Sequence, residues 1–306
     1  MNGIIGISGS MERLRAYLPK LAASEANVLV TGETGTGKEL IAEAIHMLSA
    51  RRHSPMVRIN CAAIPDGLLE SELFGLERGA FTGAHAAYSG KLRLANGGSV
   101  FLDEIGEMSL YAQAKLLRVI ETREILPVGG TRTQPLNARF IAATNQDLET
   151  LVLQGGFRSD LFYRINVARV LLPPLRERQE DILAFFNHFL TEFNGHTGLK
   201  VSGADAKLKP YLLAYDWPGN VRELRNLVEA IFIDPPQGAI GLEHLPEHFR
   251  RIFANHVTVR PSERDRVISA LTATAWNKSK AAEQLHWSRM TLYRKMSKYH
   301  LDKLPH

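Results

Sequence analysis

The sequence is poor in the features that mark secreted and membrane proteins. Cys61 is the only cysteine among 306 residues, so no disulfide can form within the chain. No apolar run approaches the roughly 18 residues that a membrane-spanning helix needs, and the first ten residues lack the basic flank and apolar core of a signal peptide. We therefore expect a cytoplasmic protein without membrane contact, in which Cys61 is a small buried side chain rather than a nucleophile.

An excess of positive charge is also missing from most of the chain. Residues 1–262 contain 28 basic and 28 acidic side chains, whereas residues 263–306 contain nine basic and four acidic ones. The whole net charge of +5 therefore lies in the last 44 residues. A compact basic segment favours nucleic-acid binding, and a merely solvated charged surface is the alternative.

The first strong motif is a glycine-rich segment between the apolar run Val28–Val30 and the helical pattern Leu40–Ile45. This spacing predicts a phosphate-binding loop, in which glycines let backbone N–H groups face phosphate oxygens and Lys38 adds a cation. The predicted nucleotide-binding residues are Gly32, Glu33, Thr34, Gly35, Thr36, Gly37, Lys38 and Glu39. Glu39 stands where the motif usually has the Ser or Thr that binds Mg²⁺, and a glycine-rich turn without a ligand is the alternative.

Two further apolar runs end in polar residues, where a parallel sheet places its ligand crevice. Residues 56–60 end in Asn60, and residues 97–104 end in the carboxylates Asp103 and Glu104. On a strand beside a phosphate loop, Asp103 would bind Mg²⁺, directly or through water. Glu104 would polarise the attacking water.

A third run, residues 138–145, ends in Thr144 and Asn145, which are suited to sensing a γ-phosphate or positioning water. A helix cap is the alternative for Asn145. Arg158 and Arg164 follow six residues apart. Arginines delivered by a neighbouring subunit stabilise transferring phosphoryl charge, and surface salt bridges are the alternative.

Pro173-Pro174 ends the α/β pattern, because proline stops both strands and helices. Residues 180–245 have helical periodicity without a convincing strand. Within them, Pro218-Gly219 and a capping Asn220 precede a helix with Arg222 in its first turn. A cation there is unfavourable to the helix dipole. Arg222 is therefore predicted to reach an anion such as a nucleotide, and pairing with a nearby acid is the alternative.

A short loop of small residues precedes the acidic strand. It consists of Gly79, Ala80, Phe81, Thr82, Gly83 and Ala84. Phe81 is its one large apolar side chain, which would gain free energy on meeting a partner. Composition alone slightly favours the other interpretation, a turn whose Phe81 packs into the core.

The basic C-terminal segment has the pattern of a helix-turn-helix. Predicted helices at 279–285 and 289–299 flank a short turn, with Leu292 and Met296 facing inward. The second helix would lie in the major groove of DNA. Its predicted DNA-binding residues are Ser288, Arg289, Thr291, Arg294, Lys295 and Lys298. A three-helix interaction module is the alternative.

On these motifs, the chain resembles the bacterial enhancer-binding proteins, which are AAA+ activators of sigma-54 RNA polymerase. Residues 32–39 are similar to that family's phosphate loop, including the acidic last residue, and residues 79–84 reproduce its characteristic loop without change. The resemblance implies ATP and Mg²⁺ as cofactors, with Asp103 as the metal ligand. It also implies that Phe81 and Thr82 contact sigma-54 when ATP drives the loop outward.

The same resemblance implies roles for the remaining candidates. Asn60 resembles the partner that holds Glu104 in an inactive pose. The other matches are Thr144 and Asn145 with the first sensor, Arg158 and Arg164 with the trans-acting arginines, and Arg222 with the second sensor. The C-terminal segment resembles the Fis-type DNA-binding domain of the family.

The expected fold is an α/β AAA+ P-loop ATPase, a parallel sheet with helices on both faces, followed by a helical lid and an all-α helix-turn-helix domain. We expect the core at 1–173, the lid at 174–250, a linker at 251–262 and the Fis-type domain at 263–306. The predicted function is activation of sigma-54-dependent transcription. Dimers would bind upstream double-stranded DNA, and a hexameric ring would hydrolyse ATP.

Two features depart from the family pattern. The ATPase pattern begins close to Met1, where the family often has a regulatory domain, so we expect either a separate regulatory protein or a fragment. His286-Trp287 occupies the turn where the family usually has Gly and an aliphatic residue. Two other functions remain as alternatives, a DNA-binding repressor and an AAA+ remodeller in replication or repair.

Overall fold

The structure, a computed structural model, describes residues 4–80, 87–256, 263–274, 276–285, 287, 292–293, 295–296, 299 and 301. The chain divides into two compact units, Met1–Pro246 and Glu247–His306. Across the described residues, no helix is both long enough and apolar enough to cross a membrane.

The first unit contains a five-stranded sheet in which every neighbouring pair of strands is parallel. The strands along the chain are β1 (Val28–Thr31), β2 (Met56–Asn60), β3 (Ser99–Asp103), β4 (Glu124–Ile125), β5 (Gln134–Pro135), β6 (Arg139–Thr144) and β7 (Ala168–Leu171). The sheet has the order β2-β3-β6-β1-β7, and β4 and β5 form a separate antiparallel pair. The strands predicted from the apolar runs are confirmed.

Helices cover both faces of this sheet. Those of the core are α1 (Gly9–Ala23), α2 (Lys38–Leu48), α3 (Asp66–Phe74), α4 (Lys91–Leu94), α5 (Leu110–Thr122), α6 (Leu148–Leu153) and α7 (Ser159–Ile165). Because side chains alternate along a strand, Val28 and Val30 pack with α1 and α2, whereas Leu29 packs with the helices of the opposite face. Two hydrophobic layers therefore enclose the sheet, as the α/β prediction requires.

The helices after β7 are α8 (Gln179–Thr197), α9 (Leu208–Ala214) and α10 (Asn220–Ile231), which confirms the predicted helical segment. α8 packs against both α9 and α10. Trp217 is fully buried between α9 and α10, and its indole N–H donates to the carbonyl of Leu212. We call these three helices and the segment 172–178 that leads to them the lid.

The second unit contains α11 (Glu247–His256), α12 (Glu263–Ala273) and α13 (Lys278–Gln284). The predicted helix at 279–285 is confirmed as α13. Ala281, Ala282, Leu292 and Met296 lie in one buried cluster, as predicted for the contact between the helices of the motif. Trp287, in the unusual turn, packs against the same cluster, and its backbone N–H donates to the carbonyl of Ala282.

α11 extends into the predicted linker, whose bounds stay a prediction. Its last six residues, 251–256, belong to the stretch that the sequence predicted as a linker. The pattern is helical because Phe249 and Phe253 recur four residues apart, with their rings in edge contact. Glu247 and Arg251 also form an ion pair at the same spacing.

Candidate nucleotide-binding site

The glycine-rich segment joins the carboxyl end of β1 to the first turn of α2. Gly37 precedes that helix at φ +104°, a region that residues with a Cβ rarely adopt. The Thr36 hydroxyl donates to the carbonyl of Glu33 at 2.7 Å and closes the turn. The loop therefore stands at a helix N-terminus, where backbone N–H groups and the helix dipole favour an anion.

Three charged side chains meet beside this loop. Lys38 is 7% exposed, and its Nζ donates to the carbonyl of Gly32 at 3.0 Å. The same Nζ lies 3.3 Å from Oε1 of Glu104. Asp103 ends β3, and its Oδ1 accepts from the backbone N–H of Glu104 at 3.1 Å. The sheet thus brings the predicted cation and both predicted carboxylates together.

The environment of Asp103 fits a cation. Burial, and then the negative charge of Glu104, raise the pKa of the Asp103 carboxyl, while Lys38 acts in the opposite direction. A metal ion would offset this electrostatic cost. The described residues contain no group of three or more His, Cys, Asp or Glu that could hold a metal. Mg²⁺ here would take its other oxygen ligands from phosphate and water, as it does in most nucleotide sites.

The polar residues at the other strand ends have defined partners. Asn145 donates its N–H to Oε2 of Glu104 at 3.0 Å, and its Nδ2 donates to the Thr34 hydroxyl at 3.0 Å. The helix-cap alternative for Asn145 is wrong, because the side chain of Asp147 caps α6. Thr144 is fully buried, and its hydroxyl accepts from the N–H of Gln146. Asn145 therefore links the loop to Glu104 directly.

Asn60 lines the same cavity, but its side chain has a local partner. Its Oδ1 accepts from the N–H groups of Ala62 and Ala63 and caps a short helical turn. Glu104 is held instead by Lys38 and by the N–H of Asn145. The role of Asn60 in restraining Glu104 stays a prediction.

The lid closes one side of a cavity of about 390 Å³ over the phosphate loop. Arg222 and Arg225 line it, together with Lys38, Asp103 and Glu104. Arg222 lies in the first turn of α10, as predicted, and it forms no ion pair with the described residues, which leaves its charge available to an anion. Arg225 was not singled out from the sequence, and its charge is paired with Glu192 at 2.8 Å.

The two candidate trans-acting arginines do not line this cavity. Arg158 is exposed and pairs with Asp160 through two hydrogen bonds, of 3.0 and 2.7 Å. Arg164 is exposed in the last turn of α7. Within one chain, Arg158 forms the surface salt bridge that was the alternative interpretation, and the proposed role of both arginines requires a second subunit.

Glu39 and Cys61 have simple surroundings. Glu39 is exposed and lies 3.6 Å from Arg58, which also pairs with Glu43. Cys61 is buried as predicted, and burial, with the charges of Asp103 and Glu104, raises its thiol pKa to about 12. A thiol in this environment is a poor nucleophile.

Asn220 was predicted as a helix cap, and the structure gives it a different contact that the sequence did not indicate. It is the first residue of α10, but its side chain does not cap that helix. It reaches the phosphate loop instead, where its Nδ2 donates to Glu33 and to the carbonyl of Thr34. A left-handed backbone at φ +53° directs it there.

Several predicted residues lie outside the described part of the chain. In the loop they are Phe81, Thr82, Gly83 and Ala84, and in the C-terminal motif they are Ser288, Arg289, Thr291, Arg294 and Lys298. Gly79 and Ala80 are described, and Ala80 packs on Gly129 between β4 and β5. Lys295 is described as half-buried in the second helix of the motif. The contacts of the loop residues with sigma-54 and of the C-terminal residues with DNA stay predictions.

The sheet order, the phosphate loop after β1 and the helical lid define an AAA+ P-loop fold. Residues 4–171 match the family described as Sigma-54 interaction domain, and residues 176–262 match the AAA+ ATPase lid domain. Residues 258–299 match the Fis family of bacterial regulatory proteins. The chain belongs to the sigma-54 interaction domain family.

Curated relatives support this assignment. The regulatory protein AtoC of Escherichia coli K12 is 43% identical over 297 residues, which cover 92% of this chain and 64% of AtoC. The DNA-binding transcriptional activator HyfR of the same organism is 46% identical over 92% of this chain and 40% of HyfR. The transcriptional regulatory protein ZraR of E. coli O157:H7 is 43% identical over 97% of this chain and 68% of ZraR. This chain therefore spans less than two thirds of the length of AtoC and of HyfR.

Solved structures of NtrX from Brucella abortus are similar to this chain throughout. The complex with ADP has a TM-score of 0.76 at 33% identity and covers 96% of this chain and 69% of NtrX. The complex with ATP has a TM-score of 0.74 at 33% identity and covers 97% of this chain and 69% of NtrX.

Proposed function

We propose that this protein activates sigma-54-dependent transcription by coupling ATP hydrolysis to remodelling of sigma-54 RNA polymerase. The observation that carries the proposal is that one cavity combines the phosphate loop and two carboxylates, from the segment that matches the sigma-54 interaction domain, with an arginine of the lid. The Fis-family segment supports binding to upstream double-stranded DNA. ATP-bound NtrX supports ATP as the nucleotide.

In this mechanism the phosphate loop binds the phosphates through backbone N–H groups of Gly32–Glu39. Lys38 neutralises the outer phosphates, and Arg222 approaches them from the lid. Glu104 holds the attacking water and accepts its proton, and Asn145 positions Glu104 through its backbone N–H. Thr144 and Asn145 form the first sensor, and Asn60 restrains Glu104 before hydrolysis.

Asp103 is the carboxylate that would hold Mg²⁺, since it ends a buried strand beside Lys38 and Glu104. Magnesium would supply charge neutralisation at the phosphate oxygens. Glu39 occupies the position at which other phosphate loops have a hydroxyl, and its exposed carboxylate leaves Asp103 as the main protein ligand.

The chain would act as an oligomer in the cytoplasm. Arg158 or Arg164 of one subunit would complete the site of the next in a hexameric ring, and dimers would bind DNA through Ser288, Arg289, Thr291, Arg294, Lys295 and Lys298. The loop Gly79–Ala84 would contact sigma-54 through Phe81 and Thr82.

Transcription in vitro from a sigma-54 promoter tests the proposal. We expect open complexes with ATP and none with a non-hydrolysable analogue. Glu104→Gln should retain ATP binding but lower turnover by about 100-fold or more, because a general base is lost. Phe81→Ala should retain turnover and DNA binding but form no open complex, and it serves as the matched control that separates hydrolysis from remodelling.

Other outcomes would favour the alternatives. A repressor would bind its operator without any nucleotide-dependent contact with sigma-54. A replication or repair remodeller would show turnover stimulated by any DNA, without operator preference. Steady ATP hydrolysis with no open complex, under conditions where a known activator works, would contradict the proposed function.

A further inference from the structure

The side chain of Asn220 is fully buried and lies between the lid and the phosphate loop. Its Oδ1 accepts from the N–H of Leu175 at 2.7 Å. Its Nδ2 lies 3.1 Å from Oε2 of Glu33 and 3.0 Å from the carbonyl of Thr34. One amide group therefore joins α10, the segment leading to α8, and the phosphate loop. Its buried donors and acceptor are all satisfied, which makes the contact specific as well as stabilising.

The next carbonyl of the loop is also bound by the lid. The backbone N–H groups of Val221 and Arg222 approach the carbonyl of Gly35 at 3.1 and 3.3 Å. These are orphan donors of the first turn of α10, which a capping side chain would ordinarily satisfy. Here the loop caps the lid helix, and this is why the Asn220 side chain is free to reach the loop.

The third carbonyl in the series has a lid partner as well. Arg178 is 2% exposed, and its Nη2 donates to the carbonyl of Thr36 at 3.1 Å. The carbonyls of Thr34, Gly35 and Thr36 are thus all held by lid donors. A peptide unit directs its C=O and N–H in opposite directions. Holding the carbonyls of Thr34 and Thr36 therefore turns the N–H groups of Gly35 and Gly37 away from these donors.

Glu33 adds a second, more exposed connection. Arg176 donates to both of its carboxylate oxygens, at 2.6 and 2.9 Å. The Arg176 hydrogen bonds, and then the one from Asn220, lower the pKa of Glu33. The ion pair alone contributes little, because both side chains are about 40% exposed. The buried Asn220 amide is the stronger connection.

We propose that Asn220 is a positioning residue that orients the phosphate loop from the lid and couples nucleotide affinity to the position of the lid. Arg222 follows it by two residues on α10, so the same contact fixes a lid arginine relative to Lys38. This inference rests on the proposed nucleotide-binding function. It assigns Asn220 no contact with the reacting atoms.

Asn220→Asp is the most direct test. Asp has the same shape and tolerates a left-handed backbone, and it keeps the acceptor for the N–H of Leu175. It loses the donor and places an oxygen against Glu33 and the carbonyl of Thr34. Two lost hydrogen bonds and a like-charge contact should raise the dissociation constant for ATP by about tenfold or more. Fluorescence titration with a labelled ATP analogue measures this constant.

A compensating substitution distinguishes positioning from general destabilisation. Asn220→Asp combined with Glu33→Gln restores one donor–acceptor pair with the direction reversed. We expect this double variant to bind ATP more tightly than Asn220→Asp alone, with Glu33→Gln as the reference.

Asn194 provides a matched control inside the lid. Like Asn220, its side chain accepts from one backbone N–H and donates to a backbone carbonyl, both of Val201. It makes no hydrogen bond with the loop. Asn194→Asp should lower the melting temperature and leave the ATP dissociation constant within about twofold of the parent value.

Each outcome has a distinct meaning. An Asn220→Asp variant that binds ATP like the parent would overturn the inference. Equal losses of affinity in Asn220→Asp and Asn194→Asp, without recovery on adding Glu33→Gln, would reduce Asn220 to a structural residue and also overturn it. If the unsubstituted protein bound no ATP, the proposed nucleotide function itself would fail.

Discussion

At the scale of single residues, the fold disfavours the ionised carboxylate of Asp103. Its pKa is raised above the ordinary value by burial and by Glu104. The folded protein therefore binds the Asp103 proton more tightly than the unfolded chain does. The resulting stability is fully present below pH 3.8, the ordinary value, and is lost as the pH rises through the folded pKa. At neutral pH the ionised carboxylate therefore lowers the free energy of unfolding, a loss that is expected of a residue retained for function.

We expect Asp103→Asn to increase the free energy of unfolding by about 1 kcal/mol at pH 7, because the substitution removes a disfavoured charge. The same variant should lose ATP turnover that depends on Mg²⁺. Urea denaturation at pH 7 and at pH values down to 3.8 measures the first effect, and the gain should become smaller as the pH falls towards 3.8.

Asp147→Asn is the control for the sign of this effect. Hydrogen bonds from Thr150 and Glu149 lower the pKa of Asp147 at the N-terminus of α6, so the fold favours its charge and the same substitution should destabilise the fold. A loss of stability in both variants would contradict the electrostatic account of Asp103.

Single residues differ in how far their positions and contacts can be predicted from the sequence. Lys38, Asp103 and Glu104 could be predicted because strand, loop and spacing together restrict where they lie in an α/β sheet. Asn220 could not, because an Asn between Pro218-Gly219 and a helix has the pattern of a cap. In the folded chain the Gly35 carbonyl accepts from the first N–H groups of α10. The Asn220 side chain is therefore not needed as a cap and can bind another partner.

At the scale of elements, long periodic segments were predictable and short or shared ones were not. The parallel strands are continuous apolar runs, and α8 to α10 have clear helical periodicity. β4 and β5 have two residues each and carry no periodic signal. The pairing of the phosphate loop with the first turn of α10 joins elements about 185 residues apart, which no local pattern encodes.

The close contact between the phosphate loop and α10 predicts that a side chain at position 35 is not tolerated. A Cβ there would lie 2.2 Å from the carbonyl oxygen of Gly219, and the backbone is at φ +80°. Gly35→Ala should therefore push the loop away from the lid, lower the free energy of unfolding by about 2 kcal/mol or more and abolish ATP binding. Urea denaturation and nucleotide titration measure the two effects.

Gly198 separates the steric effect from the backbone effect. It lies at φ +72°, and an added Cβ would meet nothing within 4 Å. Gly198→Ala should cost only about 1 kcal/mol, the usual penalty of a left-handed alanine, with ATP binding retained. Equal destabilisation by the two substitutions would show that the close approach of loop and lid contributes nothing.

At the scale of the whole molecule, one chain does not supply every group that the proposed chemistry needs. The cavity contains Glu104 and Asp103, the proposed base and magnesium ligand, and the cations Lys38, Arg222 and Arg225. Arg158 and Arg164 lie away from it and are exposed. A head-to-tail interface between identical subunits would bring an exposed arginine of one copy to the cavity of the next, and repetition of that interface closes a ring.

Mixing two inactive variants tests this arrangement. Lys38→Ala should remove phosphate binding in its own cavity, and Arg164→Ala should leave its own cavity intact but deprive the neighbouring one. In an equal mixture, about a quarter of the interfaces of a head-to-tail ring would pair an intact cavity with an intact arginine, so ATP turnover should reappear. Arg158→Ala in place of Arg164→Ala identifies which arginine acts.

Lys38→Ala mixed with Glu104→Gln is the control. Each variant then lacks one group of its own cavity, so no cavity in the mixed ring contains both groups. If neither arginine variant complemented Lys38→Ala, although mixed oligomers formed, the arginines would not act between subunits.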